Sequence, residues 1–236
     1  MNKYWRNERI LKFFRKLRTF FRFIFRNLIN KRASQIYQKN ILELFPDIVI
    51  SSKSNIVLDI GANFGHFTQA SLDLGFRVVA VEPHPICFQN LERRFGQNPK
   101  VTLLNCAISN LSGEVNFYLH PLHNNDPVQT SLSATTISDK FDRDTQKQIL
   151  VEAKRIESFF LLGQEYALVK VDIEGAEMHL VKDLIRFTGQ IQRLALETHF
   201  RFMANSKESD MYVEELGRLE RWIKERNLTD WRLDWI

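Results

Sequence analysis

From Asn55 onward the chain alternates short apolar runs with amphipathic stretches. Ile56-Val-Leu-Asp-Ile60, Arg77-Val-Val-Ala-Val81 and Val101-Thr-Leu-Leu-Asn105 have the length and β-branched content of buried strands. Phe67 to Leu74 and Pro85 to Phe95, between them, read as helices. Strands and helices that alternate through short turns predict a parallel sheet covered on both faces. Val115 to Leu119 reads as another strand, followed by a polar stretch from Pro121 to about Gln148. Loops of that length inside a domain serve as binding elements or lids. The alternation resumes with Ile149 to Ala153, Ala167 to Val171, a helix from Ala176 to about Phe187, Arg193 to Glu197, a helix from Met211 to Asn227, and a last strand from Trp231 to Ile236.

Upstream, Ile10, Phe14, Leu17, Phe21, Ile24 and Leu28 recur at spacings of four and three, with Phe13, Phe20 and Phe25 widening the stripe, as in an amphipathic helix. Arg15, Arg18, Arg22 and Arg26 lie mostly on its other face. A second helix runs from Ala33 to Phe45, where Pro46 forbids continuation. The expected organisation is therefore a basic helical arm over residues 1–45 and an α/β domain over residues 46–236.

Charge sharpens this division. The net +5 of the 236 residues is not spread evenly: residues 1–32 hold 11 Lys and Arg against the single acid Glu8, leaving 22 basic and 27 acidic groups for the rest. A +10 segment on a −5 body reads as an interaction element attached to an ordinary domain. With 44% hydrophobic and 26% charged residues the composition is globular, which excludes disordered and fibrous classes. Cys87 and Cys106 make neither a disulfide framework nor a metal-ligand spacing, so a reducing compartment is expected. No uncharged run reaches the length of a membrane span or of a secretory signal core, so the expectation is a cytoplasmic protein. Its arm has two readings: a helix lying on an anionic membrane at the inner face, or a cap on the domain.

The sharpest local chemistry is Asp59-Ile-Gly61-Ala-Asn63-Phe-Gly65, which closes the first strand and opens a helix. A dinucleotide turn would need glycines where this chain has Asn63 and His66, so that fingerprint fails. An acid two residues before the first glycine, and a second glycine four after it, instead resemble motif I of S-adenosylmethionine-dependent methyltransferases. The resemblance implies that Asp59, Gly61, Asn63 and Gly65 cradle S-adenosylmethionine, with the helix N-terminus favouring its carboxylate. Glu82 ends the second strand 23 residues after Asp59, where an acid accepts hydrogen bonds from ribose hydroxyls. Asn105 and Ala107, after the third strand, are carried over as contacts along the adenine edge.

Lys170-Val-Asp172-Ile-Glu174-Gly175-Ala-Glu177 follows an apolar strand and precedes a helix, so its carboxylates fall at the carboxyl edge of the sheet, where open α/β sheets bind ligands. With motif I and Glu82, this stretch resembles the FkbM family of methyltransferases. The resemblance runs roughly from Asn55 to Phe200 and takes in Glu197-Thr-His199 and Ser131-Leu-Ser133. It implies a Rossmann-like, doubly wound α/β fold with a mostly parallel sheet. It also implies O-methylation of a hydroxyl on a small metabolite, sugar or polyketide. An alcohol becomes a good nucleophile when a base takes its proton, and Asp172, His199 and Glu174 are the candidates, with Glu197 orienting His199. Two readings stay open at several positions. Glu174 and Glu177 also suit the start of the next helix, Lys170 could pair with a strand-end acid, and His199 could be a hydrogen-bonded structural histidine. Asp172 and Glu197 together could hold a divalent cation, but no metal ligand is assigned.

The rival from another class is a degenerate cofactor-binding or scaffolding module acting through the arm. A nucleic-acid substrate is disfavoured by the acidic body and by the lack of an Asn-Pro-Pro-aromatic motif. Methyltransferase sheets of this type usually end in a sixth strand and an antiparallel seventh. Only Trp231 to Ile236 follow the last helix, so the final strand is expected to be missing or supplied by a partner, as in a homo-oligomer.

Overall fold

Val57, Leu58, Ile60, Val78, Val81, Val169 and Val171 are all wholly or nearly wholly buried, as strands covered on both faces must be. In a computed structural model of the chain, which describes residues 30–120, 134–137, 147–160, 163–199 and 209–233, they form the centre of a six-stranded sheet. Its strands are β1 (Ile56–Ile60), β2 (Arg77–Val81), β3 (Val101–Leu104), β7 (Leu168–Val171), β8 (Leu194–Leu196) and β9 (Trp231–Leu233). The order is β3-β2-β1-β7-β8-β9, and every neighbouring pair is parallel. The doubly wound α/β class expected from the alternation is the class observed. β9 pairs directly with β8, and the main sheet has no antiparallel strand among the described residues.

Helices cover both faces. On one side Ile41 of α1 (helical over 30–44), Phe45, Phe67 of α3 (His66–Asp73) and Leu91 of α4 (Pro85–Phe95) pack on Val57 and Val78. On the other, Leu184 of α5 (Val181–Arg186) and Leu219 of α6 (Ser209–Glu225) pack on Leu58, Ile60 and Val169. The short α2 (Ile48–Ser51) buries Ile48 and is tied to the start of β8 by Arg193. That guanidinium is almost fully buried and donates to Ser51 Oγ at 2.6 Å, Ser52 Oγ at 2.9 Å and Asp47 Oδ1 at 3.2 Å. The 30–45 segment, assigned to the arm from its sequence, thus has Ile41 and Phe45 inside the domain core. The Phe and Arg stripe over 10–28 lies outside the described residues, and no described helix is long and apolar enough to cross a membrane.

Two expectations change. β5 (Gly113–Leu119) and β6 (Lys147–Lys154) do not extend the parallel sheet. They pair antiparallel with each other, and β6 also pairs with the short β4 (Ala107–Ile108), in a separate three-stranded sheet. Their exposed Glu114, Asn116, Gln148 and Leu150 show why: one face meets solvent, which a parallel strand sandwiched between helix layers could not tolerate. The expected helix from Ala176 to Phe187 begins instead as a 3₁₀ turn (Glu177–Leu180) and becomes α-helical only at Val181.

Gly65 caps α3 with φ 76°, and a Cβ there would lie 2.5 Å from Phe95 Cε2 and 2.6 Å from Leu91 Cδ2. Gly65→Ala should destabilise the protein by about 1–3 kcal/mol through left-handed strain and overpacking. An unchanged denaturation midpoint in urea would show that the Leu91–Phe95 wall yields freely.

Candidate active site

One residue past each of five strands of the sheet stands a group of the site. Gly61 follows β1, Glu82 follows β2, Asn105 follows β3, Asp172 follows β7 and Glu197 follows β8. The parallel register aligns these ends, so residues far apart in sequence converge on one cavity of about 780 Å³ at the carboxyl edge.

Beneath the cavity, Asp59 and Lys170 are register partners on β1 and β7. Lys170 Nζ donates to the carbonyls of Gly61 at 2.6 Å and Ile60 at 3.3 Å, and lies 3.5 Å from Asp59 Oδ1 and 3.3 Å from Asp172 Oδ2. Burial works against the charged amine, but Asp172 and Asp59 outweigh it and hold Lys170 protonated well above the usual lysine range. Asp59 is fully buried, so desolvation raises its pKa; Thr68 Oγ1 donates to its Oδ2 at 2.6 Å. It sits under the turn and is not among the groups lining the cavity.

Above it, Gly61 has φ 78°, and a Cβ there would lie 1.8 Å from the Asp172 carbonyl oxygen, so only glycine lets the two strand ends approach this closely. Asn63, itself at φ 50°, donates its backbone N–H to Glu82 Oε2 at 2.7 Å. Glu82 Oε1 accepts from His84 N at 2.7 Å. Burial pushes the Glu82 carboxyl up to about 7, against the pull of these two N–H groups. Asn105 Nδ2 donates to the Glu82 carbonyl at 2.8 Å and so fixes the strand end from behind. Gly61, Asn63, Glu82 and Ala107 line the cavity, whereas Gly65 and Asn105 support its wall.

Across the cavity, Asp172, Glu174 and Glu197 line the wall and His199 lies behind them, only 4% exposed. His199 Nε2 is 3.6 Å from Glu174 Oε2, 3.8 Å from Asp172 Oδ1 and 3.8 Å from Glu197 Oε1. Its orienting partner is not Glu197, as expected, but Glu177, whose Oε1 lies 2.8 Å from Nδ1. Glu177 is fully buried and accepts from Ile173 N at 3.0 Å, Gly175 N at 3.0 Å and Tyr212 Oη at 3.2 Å. Tyr212 Oη in turn accepts from His199 N at 2.6 Å. Burial opposes ionisation of Glu177, yet the His199 hydrogen bond and charge, helped by backbone N–H groups, outweigh it and hold its pKa below the ordinary glutamate value. Burial likewise disfavours a charged His199, but the Glu177 hydrogen bond and the surrounding carboxylates lift it to about 9.

This hub explains the delayed helix. Glu174 at φ 59° and Gly175 at φ 110° fold the chain back so that Glu177 reaches N–H groups a continuing helix would leave without partners. Of the two readings open at Glu177, the structure selects neither a site-facing carboxylate nor a mere helix-start charge. Tyr37 of α1 also lines the cavity, edge-on to Phe67 with ring centroids 6.0 Å apart; desolvation raises its pKa. No sequence signal marked Tyr37 or Tyr212, because both sit in ordinary amphipathic helices. Of the long loop, Ala134 and Thr136 line the cavity, while Ser131 and Ser133 lie outside the described residues.

A family model described as Methyltransferase FkbM domain matches residues 59–227. No curated protein matches the chain. Among solved structures, the plantazolicin methyltransferase BpumL in complex with SAH is similar over 87% of this chain and 68% of that chain, with 10% identity and a TM-score of 0.40.

Removing the hub carboxylate strands several buried donors at once. Glu177→Ala should lower unfolding free energy by about 3–5 kcal/mol, and Tyr212→Phe, which loses one hydroxyl, by about 1–2 kcal/mol. Denaturant titrations of the two variants check the order; equal, small losses would remove Glu177 from its place as the hub.

Proposed function

The chain belongs to the FkbM methyltransferase family, and from that premise we propose that it moves a methyl group from S-adenosylmethionine to a hydroxyl oxygen of a small molecule. The observation that carries this reading is the meeting, in one cavity, of a glycine turn backed by a strand-end acid and an opposed wall of carboxylates. The residues present fit the cofactor. The Gly61 turn leaves room for a ligand to lie close against backbone, and each Glu82 oxygen retains acceptor capacity beyond its one N–H partner.

When bound, S-adenosylmethionine supplies a methyl carbon activated by a sulfonium for in-line displacement. Glu82 accepts hydrogen bonds from the ribose hydroxyls, Gly61 and Asn63 shape the methionine end, and Ala107 borders the adenine. Asp59, Gly65 and Asn105 act through the turn and wall they support. On the opposite side Asp172 takes the proton of the acceptor hydroxyl as its oxygen forms the new bond to carbon. Glu174 lies beside it, and His199, fixed by Glu177, holds both carboxylates in place. The cavity wall is mostly apolar on the Ile108 and Phe117 side, next to Ala107, which suits the adenine ring.

Calorimetric titration of the full chain with S-adenosylhomocysteine tests the cofactor assignment, and absence of binding would overturn it. Asp172→Asn should keep that binding while lowering turnover at least about 100-fold, with turnover followed by mass spectrometry as the gain of one methyl group on hydroxylated acceptors. Loss of binding in this variant would instead make Asp172 a cofactor contact.

The Glu82 carboxyl also gives a pH signature. It is raised to about 7, so its ionised, accepting form grows as pH rises from 6 to 8. Affinity for S-adenosylhomocysteine should therefore tighten severalfold over that range. Glu82→Gln should bind about 10-fold more weakly at pH 8, with a flattened pH profile; an equally steep profile in that variant would place the titration elsewhere.

A further inference from the structure

The carboxylate wall is more than a proton acceptor. Asp172, Glu174 and His199 come from the ends of two neighbouring strands, β7 and β8, and each offers a ligand atom that lies within 4.8 Å of the others. Ligand atoms about 2.0–2.3 Å from one cation stand roughly 3–4.5 Å apart, so this spacing suits a single ion placed among them. A side chain outside the cluster sets the direction of the imidazole. Glu177 occupies Nδ1 at 2.8 Å and is itself held by two backbone N–H groups and Tyr212, which leaves Nε2 facing the carboxylates. A buried carboxylate on one ring nitrogen, with the other aimed into a set of oxygen ligands, is how metal-ligating histidines are oriented.

The charge around the cluster points the same way. Besides Asp172 and Glu174, Glu197 comes within 3.8 Å of Nε2, and Lys170, on the far side of Asp172, divides its charge between that residue and Asp59. Among the described residues, the Lys170 ammonium, shared with Asp59, and the His199 imidazole approach the three carboxylates of this wall. Their desolvation and mutual repulsion fall if a cation joins them. Asp172 and Glu174 line the cavity, so an ion there would be open to it.

We propose that Asp172, Glu174 and His199 bind one divalent cation at the acceptor side of the cavity. Two carboxylates and one imidazole suit an ion that accepts mixed oxygen and nitrogen ligands, such as Mn²⁺. Whether the ion binds follows from this geometry alone. What it does rests on the methyltransferase reading: a cation at this wall lowers the pKa of a hydroxyl bound to it and favours the nucleophilic alkoxide beside Asp172. The competing arrangement is an imidazolium at His199 neutralising the same carboxylates, with no ion.

The test is titration of the chelator-treated full chain with Mn²⁺, following free Mn²⁺ by electron paramagnetic resonance, with S-adenosylhomocysteine binding measured on the same samples. One Mn²⁺ per chain with micromolar affinity is expected, weakened at least tenfold in His199→Ala and in Glu174→Gln. The second variant sits on the cavity wall and guards against a failure of the first to fold, which thermal denaturation would reveal. No binding at millimolar Mn²⁺, or equal binding in wild type and Glu174→Gln, overturns the cation site. If S-adenosylhomocysteine binds and Mn²⁺ does not, only the cation site falls. If Mn²⁺ binds as expected and S-adenosylhomocysteine does not, the site stands and the cofactor reading falls.

Discussion

A single buried ammonium ties the two halves of the site together. Lys170 reaches from β7 to the carbonyls of Ile60 and Gly61 and sits between Asp59 and Asp172. It can do so because the parallel pairing of β1 with β7 sets Asp59 beside Lys170, and because Asp172, two residues on, projects to the same face. Taking such a charge out of water costs several kcal/mol unless its partners surround it, and breaking a buried pair costs about 3–5 kcal/mol. The turn at Gly61 and the carboxylate wall at Asp172 are therefore mechanically one object. The near contact that a Gly61 Cβ would make with the Asp172 carbonyl expresses the same constraint in steric terms.

A second buried charge, Glu177, organises the far side. It satisfies the N–H groups exposed where the chain reverses after β7, and it fixes His199 and Tyr212 against them. Lys170 and Glu177 thus bracket Asp172 and Glu174, one from beneath the sheet edge and one from the first turn after it. Lys170 lines the cavity from below and Glu177 lies outside it, and between them they hold Asp172 and His199 in position. A site built this way keeps its geometry through buried charged groups that each meet several partners, and such networks rigidify a structure.

Strand ends were the most legible part of the sequence. Ile56–Ile60, Arg77–Val81 and Pro85–Phe95 begin and end in the structure where the apolar pattern places them. Glu82, Asp172 and Glu197 could be assigned to one edge because each terminates an apolar run. β5 and β6 also appear as strands in the pattern, but not as a separate sheet. A period of two shows that one face is exposed, and it does not show which strand will be the partner. Tyr37 and Tyr212 carry no mark in the pattern because amphipathic spacing tells which face of a helix is buried and not what that face is buried against.

By itself, the sequence determined the element order, the parallel doubly wound class and the family-like motifs at the ends of β1, β2 and β7, since all of these follow from local periodicity and turn chemistry. Only the tertiary structure decided roles within those motifs. It placed Asp59 beneath the turn, held by Lys170 and Thr68, and gave His199 the partner Glu177 in place of Glu197. It also gathered Asp172, Glu174 and His199 within reach of one ion. The reason is physical: a carboxylate's chemistry depends on what surrounds it within about 4 Å, and those surroundings come from segments that are remote along the chain and adjacent only once the sheet has formed.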